Sequence, residues 1–273
     1  MPPSEKPVYT VGSDGLPARI SGQWARRKHH YLRNYCGITT KSMKSKFRLV
    51  YLDAMSGPGL CIEEKSKEEF PGSPFVALDF DFSAYYFIEG DKTLFAALDK
   101  RLEGHPKRSQ MKFINENWID VAESGRLEFD SSTLVVAFID PTGIADIPMK
   151  AMHKLMENPR IDLLVTIQYR LGLVWNAPLY QRSDSDDLAV TQFLGHSEWR
   201  KWQARDSSEF GRMAIDDFCG QIETAGFRGS RHVSVPETNP FYRFALFSRN
   251  ERAGDFWEKI LRIDEKGQRD LPF

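Results

Sequence analysis

Three apolar runs in this chain end alike, and that likeness constrains the fold more than any other feature. Residues 47–53 (FRLVYLD) empty into Ala54-Met55-Ser56-Gly57-Pro58-Gly59, residues 85–88 (YYFI) end on Glu89, and residues 134–139 (LVVAFI) end on Asp140-Pro141-Thr142-Gly143. Short runs rich in aliphatic and aromatic residues, each closed by an acid and a turn, predict strands buried on both faces. Met111–Ile114, followed by Asn115-Glu116-Asn117-Trp118, predicts another strand, and 161–167 a fifth in the parallel series. The stretches between them have helical periodicity, and that alternation predicts an α/β, doubly wound sheet whose ligands bind at the carboxyl ends of the strands.

The residues at those ends suit a ligand. Gly57 and Gly59 can adopt backbone angles closed to other residues, and their missing side chains let a bound molecule approach the main chain. Asp53 is placed to accept a hydrogen bond from that molecule, and Glu89 to face the ribose hydroxyls of a nucleoside-type cofactor. Glu89 follows Asp53 at more than the ~20 residues of the dinucleotide fingerprint, and a charged insertion at 60–71 accounts for the excess. Pro141 fixes its own φ and restricts Asp140, so a carboxylate and a carbonyl are held rigidly over the site.

With 273 residues, of which 41% are apolar, the chain can bury a full core. No apolar run approaches a membrane span and the first ten residues are polar and Pro-rich, so a soluble, cytoplasmic protein is expected. Cys36, Cys61 and Cys219 form no C-x-x-C pair, and no metal-spaced His/Cys set, Walker loop or G-x-S-x-G elbow occurs. The net charge of −1 hides an asymmetry: between Leu16 and Leu52 there are nine Lys and Arg residues and no acid. A basic end of this kind fits either a nucleic-acid partner or a solvated face.

Residues 1–20 are expected to form an arm with little regular structure, 21–260 the main domain, and 261–273 a tail. A first helix is expected from Ser21 to Gly37, with Trp24, Lys28, Tyr31 and Tyr35 inward and Arg26, His29, His30 and Arg33 outward. Arg26, Lys28 and Arg33 are the candidates for phosphate contact. Residues 168–209, with Trp175, Trp199 and Trp202, interrupt the alternation as a helical insertion. Residues 231–235 and 241–248 are expected to form two closing strands around Thr238-Asn239-Pro240.

The ordered set DAMSGPG, FIEGD and FIDPTG resembles class I S-adenosylmethionine-dependent methyltransferases, and more closely the three-Cys-motif partner proteins. The match extends to Lys28-His29 with Tyr31, to Gly72-Ser73-Pro74, to Phe193-Leu194-Gly195 with Trp199, and to the ending YRFALFS at 242–248, so it spans roughly residues 24–260. The resemblance implies a Rossmann-like, mostly parallel sheet in which the two closing strands form an antiparallel edge pair, and S-adenosylmethionine as cofactor. It assigns Asp53, Gly57 and Gly59 to the methionine part, Glu89 to the ribose, and Asn117, or Asp120 under another alignment, to the adenine amine. Asp140, Pro141, Thr142 and Gly143 would line the methyl-transfer site, with Asp140 and the Pro141 carbonyl orienting an amine. The chain departs from the family in having Met55-Ser56 for Phe-Ala and Thr142 for Phe. The implied activity is methyl transfer to an exocyclic amine of a nucleic-acid base; the alternative is a non-catalytic, cofactor-binding subunit of a three-Cys-motif protein.

Overall fold

The structure, a computed structural model, describes residues 8–229, 233–235 and 241–263. Twelve strands are present among them: β1 (Tyr9–Val11), β2 (Pro17–Ser21), β3 (Arg48–Asp53), β4 (Leu60–Glu63), β5 (Glu69–Pro71), β6 (Ala84–Ile88), β7 (Met111–Ile114), β8 (Thr133–Ile139), β9 (Ile161–Ile167), β10 (Arg228–Gly229), β11 (Val233–Val235) and β12 (Tyr242–Ser248). The helices are α1 (Gln23–Met43), α2 (Ser73–Leu78), α3 (Lys92–Arg101), α4 (Trp118–Glu123), α5 (Met149–Met156), α6 (Ala177–Arg182), α7 (Ala189–Leu194), α8 (Ser207–Thr224) and α9 (Glu251–Ile260).

The main sheet runs β10-β12-β9-β8-β3-β6-β7, with β11 also paired to β12. β9, β8, β3, β6 and β7 are parallel, as the apolar runs predict, and β12 is antiparallel to β9. Period-two alternation sends Val50 and Leu52 of β3 to one face, under α4, α5, α7 and α8, and Leu49 and Tyr51 to the other, under α1, α2 and α9. Strand order reverses between β3 and β8, which makes their carboxyl ends the switch point where such sheets bind ligands. Asp53 pairs with Phe87 on one side and Phe138 on the other, so Glu89 and Asp140 each project two residues beyond it.

Two expectations at the amino end are corrected. Residues 8–21 are not an irregular arm, because β1 and β2 form a hairpin within a second sheet ordered β1-β2-β4-β5. Arg101 staples this hairpin to the main domain: its guanidinium bonds both carboxylate oxygens of Asp14, the Pro17 carbonyl at 2.7 Å and the Pro58 carbonyl at 2.6 Å. The first helix also runs through Gly37 instead of ending there. A Cβ at Gly37 would lie 3.0 Å from the Phe80 ring, so this glycine serves close packing of α1, not a helix stop.

The 168–209 insertion is helical as expected, with a wide turn at Tyr169–Val174, then α6, α7 and a 3-10 turn at Glu198–Lys201. It shares the domain core instead of forming its own: Phe193 stacks on Phe218 of α8 at 4.3 Å, and Trp199 is buried against Tyr180 and Phe210. Residues 230–232 and 236–240, including Thr238-Asn239-Pro240, lie outside the described residues, as does the tail beyond 263. No helix among the described residues is long and apolar enough to cross a membrane.

Candidate cofactor site and adjoining pocket

Asp53 is fully buried at the end of β3. Its Oδ2 accepts the Tyr51 hydroxyl at 3.1 Å, while Oδ1 has no hydrogen-bond partner among the described residues. Burial, with the Asp140 charge adding to it, pushes the carboxyl up to about 7; the Tyr51 hydroxyl and the nearby Ser73 hydroxyl, which does not meet Oδ1 in hydrogen-bond geometry, ease the rise. An orphaned carboxylate oxygen of this kind carries a desolvation cost that a donor from a ligand would offset.

The loop after Asp53 is tied to both neighbouring strands, through Ala54 N–H to the Phe138 carbonyl and Ser56 N–H to the Ile88 carbonyl. The two glycines have different roles. Gly57 (φ +61°) would point a Cβ into space with nothing within 4 Å, so its backbone is open to a ligand. Gly59 (φ +83°) would drive a Cβ to within 2.8 Å of Leu98 and 2.9 Å of Phe75; its smallness serves packing and not ligand approach.

Glu89 is half-buried and doubly anchored, accepting Gly57 N–H on Oε2 at 2.8 Å and Asp91 N–H on Oε1 at 2.9 Å. Burial raises its pKa. Each carboxylate oxygen retains a further acceptor site for a hydroxyl. Asn115, which carries no site signal in the sequence, positions this turn by donating to the Glu89 carbonyl at 2.8 Å. Asn117 caps α4 through its side-chain oxygen to Ile119 N–H and lies against Gly90, with its amide nitrogen left for a ligand. Asp120 sits further on, exposed in the first turn of α4.

At Asp140 the structure adds partners that the sequence does not reveal. Lys28 Nζ reaches the two Asp140 oxygens at 2.5 and 2.6 Å, with both residues buried, and stands 4.8 Å from the Tyr242 ring centroid. Burial opposes ionisation of Asp140, but the Lys28 and Arg19 charges together outweigh it and hold the carboxyl below its usual range. The Pro141 carbonyl accepts Gln168 Nε2 at 2.7 Å. Thr142 and Gly143 direct their amides to Asp146 Oδ2, as does the Thr142 hydroxyl, which closes that turn on itself.

A 340 Å³ pocket opens beside this cluster, lined in part by Arg19, Lys28, Asp140, Gln168, Trp24 and Tyr242. A 430 Å³ cavity lies at the opposite edge of the sheet, around Arg160, Asp162 and Asn250. The smaller one is the relevant one, because it adjoins the switch point. Arg19 and Gln168 have no local sequence signal; Lys28 and Tyr242 stand among the motifs of the family resemblance, which gives them no role in this pocket. The described residues contain no cluster of His, Cys, Asp and Glu able to hold a metal.

The residues expected to contact phosphate fall in different places. Lys28 is inside, neutralised by Asp140. Arg26 pairs with Glu63 and Glu68 and lies over the Phe70 ring, and Arg33 pairs with Asp79. His29, expected to face outward, is half-buried, and burial depresses its pKa to about 4. The exposed cations of this region are Arg33, paired with Asp79, and Lys41, Lys44, Lys46 and Arg48. Lys41 follows Lys28 by 13 residues of one helix, a rise of ~20 Å away from the pocket.

No protein-family model matches the chain, and no curated protein does either. Among solved structures it is similar to LPL1258 of Legionella pneumophila, at 12% identity and TM-score 0.50 over 84% of this chain and 85% of that one. It is also similar to yhhF of Escherichia coli, provisionally named a methyltransferase, at 13% identity and TM-score 0.45 over 90% and 99% of the two chains. SMU.1697c of Streptococcus mutans, another provisionally named methyltransferase, solved in complex with SAH, matches at 9% identity and TM-score 0.43 over 78% and 96%. Strand order and strand direction match the class I, Rossmann-like methyltransferase fold.

Proposed function

We propose that this chain binds S-adenosylmethionine at the β3–β6 edge and acts as a methyltransferase on an exocyclic amine of a nucleic-acid base. The observation that carries the cofactor assignment is the orphaned Asp53 Oδ1 behind a glycine, Gly57, that opens onto free space. Asp53, Gly57, Glu89 and Asn117 form a donor and acceptor set suited to an amine, a ribose diol and an adenine edge. When bound, the cofactor supplies an electrophilic methyl group on its sulfonium. The chain's own part is alignment, worth up to ~7–11 kcal/mol in favourable cases. Gln168 fixes the Pro141 carbonyl, whose second lone pair remains able to accept from an amine.

A second reading has its own observation. Asp140 already holds an ammonium group, and a further positive charge developing on an attacking amine would be repelled by Lys28. This favours a cofactor-binding subunit whose catalytic groups come from a partner, the role implied by the three-Cys-motif resemblance. Transfer of labelled methyl groups into DNA, RNA and protein extracts, with and without a cysteine-motif partner, separates the two. Incorporation by the chain alone supports the enzyme; cofactor binding by the chain alone, with incorporation only when the partner is added, supports the subunit.

A further inference from the structure

The charge in the pocket beside Asp140 does not close. Lys28 and Asp140 cancel each other at 2.5 Å, and Glu64 at the rim is exposed and makes no ion pair among the described residues. Arg19, half-buried on β2, also lines the pocket and makes no hydrogen bond or ion pair with any described side chain. Its position is set by β2–β4 pairing, which places Arg19 opposite Cys61. Asp140 attracts Arg19 as well as Lys28, but its two oxygens are taken by Lys28, and one buried carboxylate leaves a surplus positive charge that an anionic ligand would neutralise. Tyr242 adds a second, independent unmet bonding group: it is 4% exposed, lines the same pocket, and its hydroxyl has no partner among the described residues. The mouth has an aromatic wall, with Trp24 stacked on Phe241 at 5.6 Å and Trp24 38% exposed.

We infer that this pocket receives the acceptor substrate by an anionic group, a phosphate ester or carboxylate, held by Arg19 and the Tyr242 hydroxyl, with a planar ring against Trp24 and Phe241. The inference rests on the proposed function only in calling the ligand an acceptor; the anion site stands on its own geometry. For a nucleic-acid substrate the group is a phosphate close to the target base, and for a small molecule it is the substrate's own acid. Lys28 contributes little to this attraction, because Asp140 neutralises it.

The test is calorimetric titration of the full chain with phenyl phosphate, benzoate and the neutral benzamide, alongside S-adenosylhomocysteine. At least one anion is expected to bind ~10-fold or more tightly than benzamide, as a charge-assisted bond requires. Arg19→Gln should abolish that preference, Arg19→Lys should retain part of it, and Tyr242→Phe should weaken it; S-adenosylhomocysteine affinity should be unchanged in all three. Preference for phenyl phosphate identifies the phosphate ester as the substrate class, and preference for benzoate the carboxylate. Equal binding of benzamide and the anions would overturn the inference. So would loss of cofactor affinity in Arg19→Gln with anion binding intact, since Arg19 would then serve the cofactor's carboxylate. Anion binding by a wild-type chain that binds no cofactor would sustain the inference and remove the proposed function.

Discussion

Lys28 of α1 meets Asp140 at the end of β8 across 112 residues of sequence, bonding both carboxylate oxygens in a buried position. The pair fixes the amino end of α1 over the switch point. Breaking a buried pair from one side strands the other charge, at a cost of about 3–5 kcal/mol, whereas replacing both members by well-packed apolar groups is often neutral. Lys28→Met is therefore expected to lose stability on that scale, and Lys28→Met with Asp140→Leu to recover most of it in denaturant unfolding. Additive losses in the double variant would show that the two residues act separately.

Glu89 is expected to govern cofactor affinity. Glu89→Gln keeps an oxygen for the Gly57 or Asp91 amide but removes the charge that strengthens a bond to a ribose hydroxyl. Affinity for S-adenosylmethionine should fall by ~1.5–3 kcal/mol in calorimetry. An unaltered affinity would take Glu89 out of the cofactor site.

The glycines should separate stability from binding. Gly57→Ala strains a φ of +61° but meets no neighbour, so a modest stability loss of ~1 kcal/mol should accompany a clear loss of cofactor binding. Gly72→Ala sets a Cβ 3.0 Å from the backbone carbon and oxygen of Gly59, which cannot swing away like a side chain. Its unfolding midpoint should drop further than that of Gly57→Ala. The reverse order in thermal melts would contradict this division of roles.

The strands are legible in the sequence because parallel strands buried on both faces are continuous apolar runs, as in 134–139, and their terminal acids mark the ligand edge. The α1 boundary is not, because Gly37 resembles a stop unless Phe80 is known to lie against it. Residues 8–21 escape a local reading for a related reason: the β1–β2 hairpin is held in its sheet by pairing of β2 with β4, some 40 residues on, and local composition does not show that partner strand. Lys28 falls within the inward face that periodicity assigns, yet its charge still suggests a phosphate contact. Only Asp140, from a distant strand, explains how a lysine can be buried there.

Asp53 should make stability fall as pH rises. Its folded pKa of about 7 exceeds the ordinary value of 3.8 because burial disfavours the charged form. Below pH ~4 both states are protonated and no penalty exists; between ~4 and 7 the unfolded chain ionises first; above 7 the penalty is complete, on the order of a few kcal/mol. Asp162, pushed up to about 6 by burial against the Tyr35 and Ser248 hydroxyls, adds in the same direction. Asp53→Asn should therefore stabilise the protein at pH 8 and give little gain at pH 4. Equal gains at both values would mean that Asp53 is ionised normally in the fold.

Nucleic-acid binding, where it occurs, should depend on the far end of α1 and not on the residues that periodicity singles out. Lys41, Lys44, Lys46 and Arg48 are exposed, while Lys28 is neutralised inside and Arg26 and Arg33 are paired with carboxylates. Removing four cations that touch phosphates should flatten the slope of log affinity against log salt by up to ~0.7–0.9 for each phosphate no longer neutralised. The variant with all four replaced by Ala is expected to show that flattening on single- and double-stranded probes, and Arg26→Ala with Arg33→Ala much less. A phosphate held at Arg19 lies at the other end of the helix, so the cluster and the pocket would be engaged together only by a strand long enough to span the ~20 Å between them. Short oligonucleotides should accordingly bind as before when the four are replaced, and long ones should bind more weakly in proportion to the salt slope. A full slope retained by the fourfold variant on long probes would leave this basic end as solvated surface.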